Sequence, residues 1–197
     1  RHLIENGIKY PHLYMWKIKM PSRIKVFMWL ALRNSILTKD NLLRRGWKGD
    51  DRCPFCGRKE NINHLFLSCS VARLMWSLAK CSFDLKSTPQ TLNECLNVWI
   101  KTFQKMQRQY LIVGISVMFW SIWKCRNDIV VRSKNFHDPI IVIRTLCNWI
   151  IDWAVLQKKK NPEQKRWVLG ARLIERVANK VYRMAQGWRP GVLRLGG

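Results

Sequence analysis

The segment Cys53-Pro-Phe-Cys-Gly-Arg-Lys-Glu-Asn-Ile-Asn-His-Leu-Phe-Leu-Ser-Cys69 carries three thiols and one imidazole in the spacing Cys-x2-Cys-x7-His-x4-Cys. Thiolate sulfur and imidazole nitrogen are the donors that tetrahedral Zn²⁺ prefers. Pro54 between the first two thiols and Gly57 just after them suit a tight turn that directs two sulfurs at one ion. The sequence therefore predicts one zinc bound by Cys53, Cys56, His64 and Cys69. Four protein ligands leave no open position for water, so we expect a structural zinc.

Working outward from this segment, apolar residues recur at helical spacing, and no useful stretch alternates with period two. His64 and Cys69 lie ~140° apart on a regular helix, so we expect a helix end or a kink between them. Further helices are predicted over residues 91–109, 110–127 and 139–156, and a last one begins at Asn161-Pro162 and is interrupted at Gly170. The predicted fold is all-α, a helical bundle with a small CCHC zinc-stapled module near the N-terminal third. The predicted core comprises Leu96, Trp99, Phe103, Ile115, Phe119, Ile143, Leu146 and Ile150.

Three units are predicted along the chain. Residues 1–86 hold the N-terminal helices and the zinc module, residues 87–157 the helical bundle, and residues 158–197 a basic helix and tail. The sequence Ser87-Thr88-Pro89 marks the first boundary. On the last helix, Leu173, Ile174, Val177, Ala178 and Val181 form an apolar stripe, and the basic residues face away from it.

Charge is the strongest indication of the partner. The chain has 36 Lys and Arg residues against 12 Asp and Glu residues, a formal net charge of +24. Self-repulsion on this scale opposes folding, so we expect a polyanion to compensate it. A membrane is not expected as the partner, because the charge is spread along the chain. The apolar stretch 110–123 is also too short to span a bilayer. The expected partner is nucleic acid, with RNA favoured.

Two basic clusters and one lysine run are the candidate nucleic-acid contacts, although each also suits an ordinary solvated helix end, helix face or loop. They are Arg44, Arg45, Trp47 and Lys48 before the zinc turn, Lys158, Lys159 and Lys160, and Arg172, Arg176, Lys180 and Arg183 on the last helix. Five of the eleven tryptophans lie on apolar stripes and are expected in the core, namely Trp29, Trp76, Trp99, Trp120 and Trp149. The expected exposed ones are Trp16, Trp47 and Trp188.

The cysteines outside the zinc segment indicate the compartment. Cys81, Cys95, Cys125 and Cys147 are scattered in apolar helical settings, so buried free thiols are expected rather than disulfides. An intracellular, reducing location follows, in the nucleus or the cytoplasm. The chain begins with Arg1 and not with Met, so we expect a fragment, a processed product or a trimmed sequence. An organelle is the expected location if a targeting segment was removed.

The tryptophans, the metal ligands and the segment Trp120-Ser-Ile-Trp-Lys-Cys-Arg-Asn127 together resemble a known family. The remaining matching positions are Trp16, Pro21, Ile24, Val26, Phe27, Trp29, Leu37, Leu42, Arg45, Leu65, Phe66, Ala72 and Trp76. The chain resembles the zinc-binding region that follows the polymerase domain in plant LINE-type (non-LTR) retrotransposon reverse transcriptases, from about residue 14 to about residue 130. The polymerase signature Tyr-x-Asp-Asp and a ribonuclease-H-like carboxylate set are absent from this sequence. The resemblance therefore implies a non-enzymatic accessory module that grips template RNA or target DNA.

Two other functions remain open at this point. The chain is alternatively a host protein derived from that module, recruited as a structural RNA-binding component of a ribonucleoprotein such as a ribosome, with other proteins of the assembly as partners. The other alternative is a protein-interaction scaffold in which zinc only staples helices, although the net charge argues against it.

Overall fold

A computed structural model of the chain describes residues 13–83, 85–133, 138–154 and 162–184. The described residues form α-helices, one π-helical turn and one 3-10 turn, and they contain no β-strand beyond an isolated bridge between Arg52 and Lys59. The helices are α1 (Leu13–Lys17), α2 (Ser22–Leu32), α3 (Lys39–Arg44), α4 (Ser70–Phe83), α5 (Leu92–Asn97), α6 (Lys105–Val130), α7 (Ile140–Ala154) and α8 (Pro162–Met184). The predicted all-α class is confirmed.

The central element is α6, a helix of 26 residues that α2, α4 and α7 all contact. Val117, Phe119 and Ile122 on this helix are completely buried. A helix that is apolar nearly all round needs neighbours on several sides, and α6 has them. Within the described residues, no helix combines the length and the apolarity that crossing a membrane requires.

The predicted single helix over residues 91–109 is wrong. The α5 helix ends at Asn97, a 3-10 turn covers Trp99–Thr102, and Phe103 is extended before α6 begins. The break is stabilised by tertiary contacts: Trp99 packs edge-on against Trp76 and donates its indole N–H to the carbonyl of Ser87 at 3.1 Å. Arg108 donates to the carbonyl of Phe103 at 2.7 Å, which satisfies an acceptor that the break frees. These contacts outweigh the apolar periodicity.

Most of the predicted core is buried. Trp99, Ile115, Phe119, Ile143, Leu146 and Ile150 are buried, whereas Leu96 and Phe103 are half-buried and pack against the core from outside. A cavity of about 390 Å³ with almost wholly apolar walls remains between α4, α6, α7 and α8. Gly114 and Gly170 border this cavity.

The α8 helix packs along α7 and also contacts α4. It runs through Gly170 without a break, so the predicted interruption there is wrong. Ala171, Ile174 and Ala178 are buried and define the contact row, and Leu173 is 50% exposed because it lies to one side of that row. Leu173 therefore lies at the edge of the predicted apolar stripe, and Ile174 and Ala178 belong to its buried part. The small Ala171 lets the two helices approach closely, and the thiol of Cys147 reaches the carbonyl of Ala171 at 3.3 Å.

One cluster of buried apolar side chains extends from Met15 to Ala178, across the predicted unit boundaries at residues 86 and 157. The division into three units stays a prediction, but the core does not divide there. Of the four remaining thiols, Cys95, Cys125 and Cys147 are buried as predicted, whereas Cys81 in the last turn of α4 is exposed. None of the four forms a disulfide.

Candidate metal centre

Four side chains converge where the sequence predicts the zinc site. The donor atoms of Cys53, Cys56, His64 and Cys69 all lie within 4.8 Å of one another. The Sγ atom of Cys69 is 3.7 Å from that of Cys53 and 3.8 Å from that of Cys56. A tetrahedron with sulfur ~2.3 Å from its centre has edges of ~3.8 Å. The cluster therefore has the dimensions and the donor set that Zn²⁺ requires, with no ligand missing.

The first two ligands lie on a tight turn. Gly57 donates its N–H to the carbonyl of Cys53 at 2.8 Å, and Cys53 donates to the carbonyl of Arg58 at 2.6 Å. Gly57 has a φ of +73°, in the left-handed region that favours glycine. Phe55 at the turn is buried and anchors it to the core. This is the turn that the sequence Cys-Pro-Phe-Cys-Gly predicts.

The last two ligands are brought together by a π-helical turn over His64–Ser68. Cys69 donates its N–H to the carbonyl of His64 at 2.7 Å, five residues back. A turn closed by this wider hydrogen bond places Cys69 near His64, whereas a regular α-helix would separate them. Cys69 itself is extended, and α4 begins at Ser70. The predicted break between His64 and Cys69 is thus confirmed, and it takes the form of a π-turn followed by a helix start.

A second set of contacts orients His64. Its Nε2 faces the cluster, 3.2 Å from the Sγ of Cys56, and its Nδ1 lies 3.4 Å from the hydroxyl of Ser68. Its backbone N–H donates to the side chain of Asn61 at 2.8 Å. With Nε2 as the ligand atom, Nδ1–H donates to Ser68, which is the usual arrangement for a metal-binding imidazole.

The thiols are close enough to share protons. A hydrogen bond from Cys53 lowers the pKa of the Cys69 thiol to about 4. The same hydrogen bond, together with burial, raises the pKa of Cys53, and burial raises that of Cys56. Three thiolates at this separation repel one another, so a divalent cation at the centre is the natural compensator.

A buried ion pair ties the zinc loop to the bundle. Glu60, between the two ligand pairs, accepts from Arg126 on α6 at 2.7 Å and 3.3 Å, and these side chains are 0% and 2% exposed. Glu60 also accepts the backbone N–H of Lys39 at 2.8 Å, at the start of α3. The Arg126 guanidinium also donates to Asn127 and lies over the ring of Trp123. The Trp-Lys-Cys-Arg-Asn segment thus holds the zinc loop in place.

The basic cluster before the zinc turn is on the surface. Arg44, Arg45, Trp47 and Lys48 are all exposed. Arg44 forms an ion pair with Asp40 at 3.1 Å, whereas Arg45 and Lys48 form none with the described residues. On α8, Arg172, Arg176 and Lys180 are exposed as predicted. The side chain of Arg183 and the whole of Lys158, Lys159 and Lys160 lie outside the described part of the chain.

Two further exposed cations lie next to the predicted sites and were not among the predicted contacts. Arg58 follows Gly57 at the tip of the zinc turn, and Lys165 lies seven residues before Arg172 on the same face of α8. A helical projection extended by two turns would have found Lys165. Of the predicted exposed tryptophans, Trp16 and Trp47 are exposed and Trp188 lies outside the described residues. Trp76 and Trp99 are buried, and Trp29, Trp120 and Trp149 are half-buried and packed on the core.

Residues 4–76 match the model of a protein family described as zinc-binding in reverse transcriptase. All four cluster residues lie inside the match, so the prediction of zinc as the cofactor is confirmed by both the matching family and the cluster. The chain is also 29% identical over 63 residues to a putative ribonuclease H protein of Arabidopsis thaliana. That alignment covers 32% of this chain and only 10% of the relative. No solved structure matches the chain significantly.

Proposed function

We propose that this chain is a non-catalytic nucleic-acid-binding module, with RNA favoured, related to the zinc-binding region of LINE-type reverse transcriptases. The family match covers a zinc-binding domain and no catalytic domain. The zinc cluster has four protein ligands, so its role is to hold the loop and not to activate water. A single observation carries the proposal for nucleic acid, and it is the outer face of α8.

That face carries four exposed cations and no exposed carboxylate between residues 164 and 180. Lys165, Arg172, Arg176 and Lys180 are spaced by seven, four and four residues, so they lie in one row over ~22 Å of helix. Glu175 is the one acid in this stretch, and it is half-buried beside the row. None of the four cations forms an ion pair with another described residue. A row of free cations of this length suits successive phosphates of a nucleic-acid backbone.

The contacts should be mainly to phosphate. Lys and Arg on an exposed helix without recognisable base-reading side chains position a backbone and carry little sequence information. We therefore expect similar affinity for unrelated sequences and a strong dependence on salt.

The test is the salt dependence of binding by a quadruple variant, Lys165→Ala, Arg172→Ala, Arg176→Ala and Lys180→Ala. The slope of log affinity against log salt on a duplex should become shallower by up to ~3–4 units if all four residues touch phosphate. The matched control removes the same charge from other exposed positions, Lys17, Lys19, Lys80 and Lys101. An equal change in both variants, or no change in a folded α8 variant, would contradict a contact at α8. Absence of any binding by the zinc-loaded wild type would leave the protein-interaction scaffold as the remaining hypothesis.

A further inference from the structure

Trp47 is held in place by the end of α3. Gly46, with a φ of +87°, donates to the carbonyl of Leu43 at 2.9 Å, and Trp47 donates to the carbonyl of Leu42 at 3.1 Å. These two hydrogen bonds, with glycine in the left-handed region, form a Schellman motif that ends the helix. The backbone position of Trp47 is therefore fixed relative to α3.

The indole ring of Trp47 rests on the backbone of Gly49. A Cβ built on Gly49 would overlap the six-membered ring of Trp47, so the ring lies directly against the backbone of Gly49. Any residue other than glycine at position 49 would displace the ring. Trp47 nevertheless remains 40% exposed. One side of the aromatic ring thus rests on the backbone, and a large part of the side chain faces solvent.

Two exposed cations lie close to Trp47 in sequence, whereas the nearby carboxylate of Asp50 is paired with Lys39 and Arg52. Arg45 and Lys48 flank Trp47 in sequence, both are exposed, and neither pairs with an acid among the described residues. Single-stranded nucleic acid is bound by this combination, in which cations neutralise phosphates and an aromatic face stacks on a base of any identity. A ring that already rests against the backbone on one face loses less side-chain entropy when a base stacks on the other face than a freely rotating ring would.

We propose that Trp47 is a stacking platform for an unpaired base of single-stranded RNA or DNA, beside Arg45 and Lys48. This inference rests on the proposed nucleic-acid function and adds a second mode of contact, because α8 contacts phosphates only. Bases in a duplex are stacked on each other and do not reach the ring, so Trp47 gives the chain a preference for single strands.

The competing explanation is that Trp47 only covers the end of α3. An apolar contact to the third residue from the helix end often accompanies a Schellman motif. In that case removal of the indole lowers the stability of the protein, and it does not change the ratio of the affinities for a strand with bases and a strand without bases.

The experiment compares an oligouridine of about 12 nucleotides with an abasic strand of equal length, since single-strand sites span ~4–16 nucleotides. Wild-type protein should bind the oligouridine more tightly than the abasic strand, and we call the ratio of the two affinities the base advantage. Trp47→Ala should reduce the base advantage about 5- to 150-fold, as expected for the loss of one stacking contact. Binding to the abasic strand should not change. Oligothymidine and a blunt RNA duplex complete the set, and they show whether the sugar or base pairing matters.

Three further variants make the result specific. Gly49→Ala displaces the ring without changing charge and should also reduce the base advantage. Trp47→Phe keeps an aromatic ring and should retain most of the base advantage. Trp16→Ala is the matched control, because Trp16 is exposed to a similar extent, 43%, but has no glycine beneath it in the described structure. Zinc content and circular dichroism establish that each variant is folded.

The two proposals fail differently. Binding could remain salt-dependent while the base advantage is unchanged in folded Trp47→Ala and Gly49→Ala. This result would overturn the stacking platform and would leave the proposed α8 contact intact. Absence of binding to all four probes would overturn the nucleic-acid function itself.

Discussion

Replacing Arg126 by Met should be among the most destabilising single changes in this chain outside the zinc ligands. The variant leaves the carboxylate of Glu60, itself fully buried, without its guanidinium partner. Breaking a buried pair by removing one partner costs ~3–5 kcal/mol, because an uncompensated charge stays in the core. Domains of this kind are stable by only ~5–15 kcal/mol, so a fifth or more of the stability is at stake.

Urea unfolding of the zinc-saturated protein, followed by tryptophan fluorescence and circular dichroism, measures this cost. The double variant Glu60→Gln with Arg126→Met should recover most of the loss, because it removes both charges and keeps an acceptor for the N–H of Lys39. Lys124→Met, on the same helix two residues earlier, is the control for removing a half-buried cation. A cost below ~1 kcal/mol for Arg126→Met, the range of surface pairs, would refute the reasoning.

Two further predictions concern the metal and the last helix. Cys56→Ser should release the zinc, measured as metal per chain after gel filtration, whereas Cys81→Ser, at an exposed thiol outside the cluster, should retain it; stoichiometric zinc in the first variant would contradict the ligand assignment. Gly170→Ala should raise the free energy of unfolding by ~0.5–1 kcal/mol, because a Cβ at this position in the middle of α8 meets nothing within 4 Å. A loss of stability there would argue for a helix break at Gly170.

The zinc ligands were predictable because their signal is local: the donor types and their spacing already define the turn. The break after Asn97 was not predictable from the sequence, because the apolar spacing of residues 92–106 is compatible with one continuous helix. What decides it is the contact of Trp99 with Trp76 and Ser87, which a single sequence does not reveal. The interruption wrongly expected at Gly170 has a similar cause, since packing of α8 on α7 outweighs the low helix propensity of glycine.

Sequence separation also explains why the role of Arg126 was missed. Glu60 and Arg126 are 66 residues apart, and neither lies in a pattern that indicates burial. Charged residues are rarely buried unless they are paired, so Glu60 and Arg126 are each expected at the surface when considered separately. The resemblance did single out the segment that contains Arg126, but the partner became apparent only in the folded chain. The family match ends at residue 76, whereas the side chain that holds the zinc loop lies on α6.

The π-turn at His64–Ser68 also constrains how the length of this chain can change. Each residue added to or removed from the five-residue step to Cys69 would rotate everything after it by ~100°. Trp76, whose indole N–H donates to the carbonyl of Phe66 at 3.0 Å, would then leave the core. Insertions and deletions should therefore be rejected between His64 and Cys69. The His-x4-Cys spacer sets the rotational register of α4 as well as the position of a ligand.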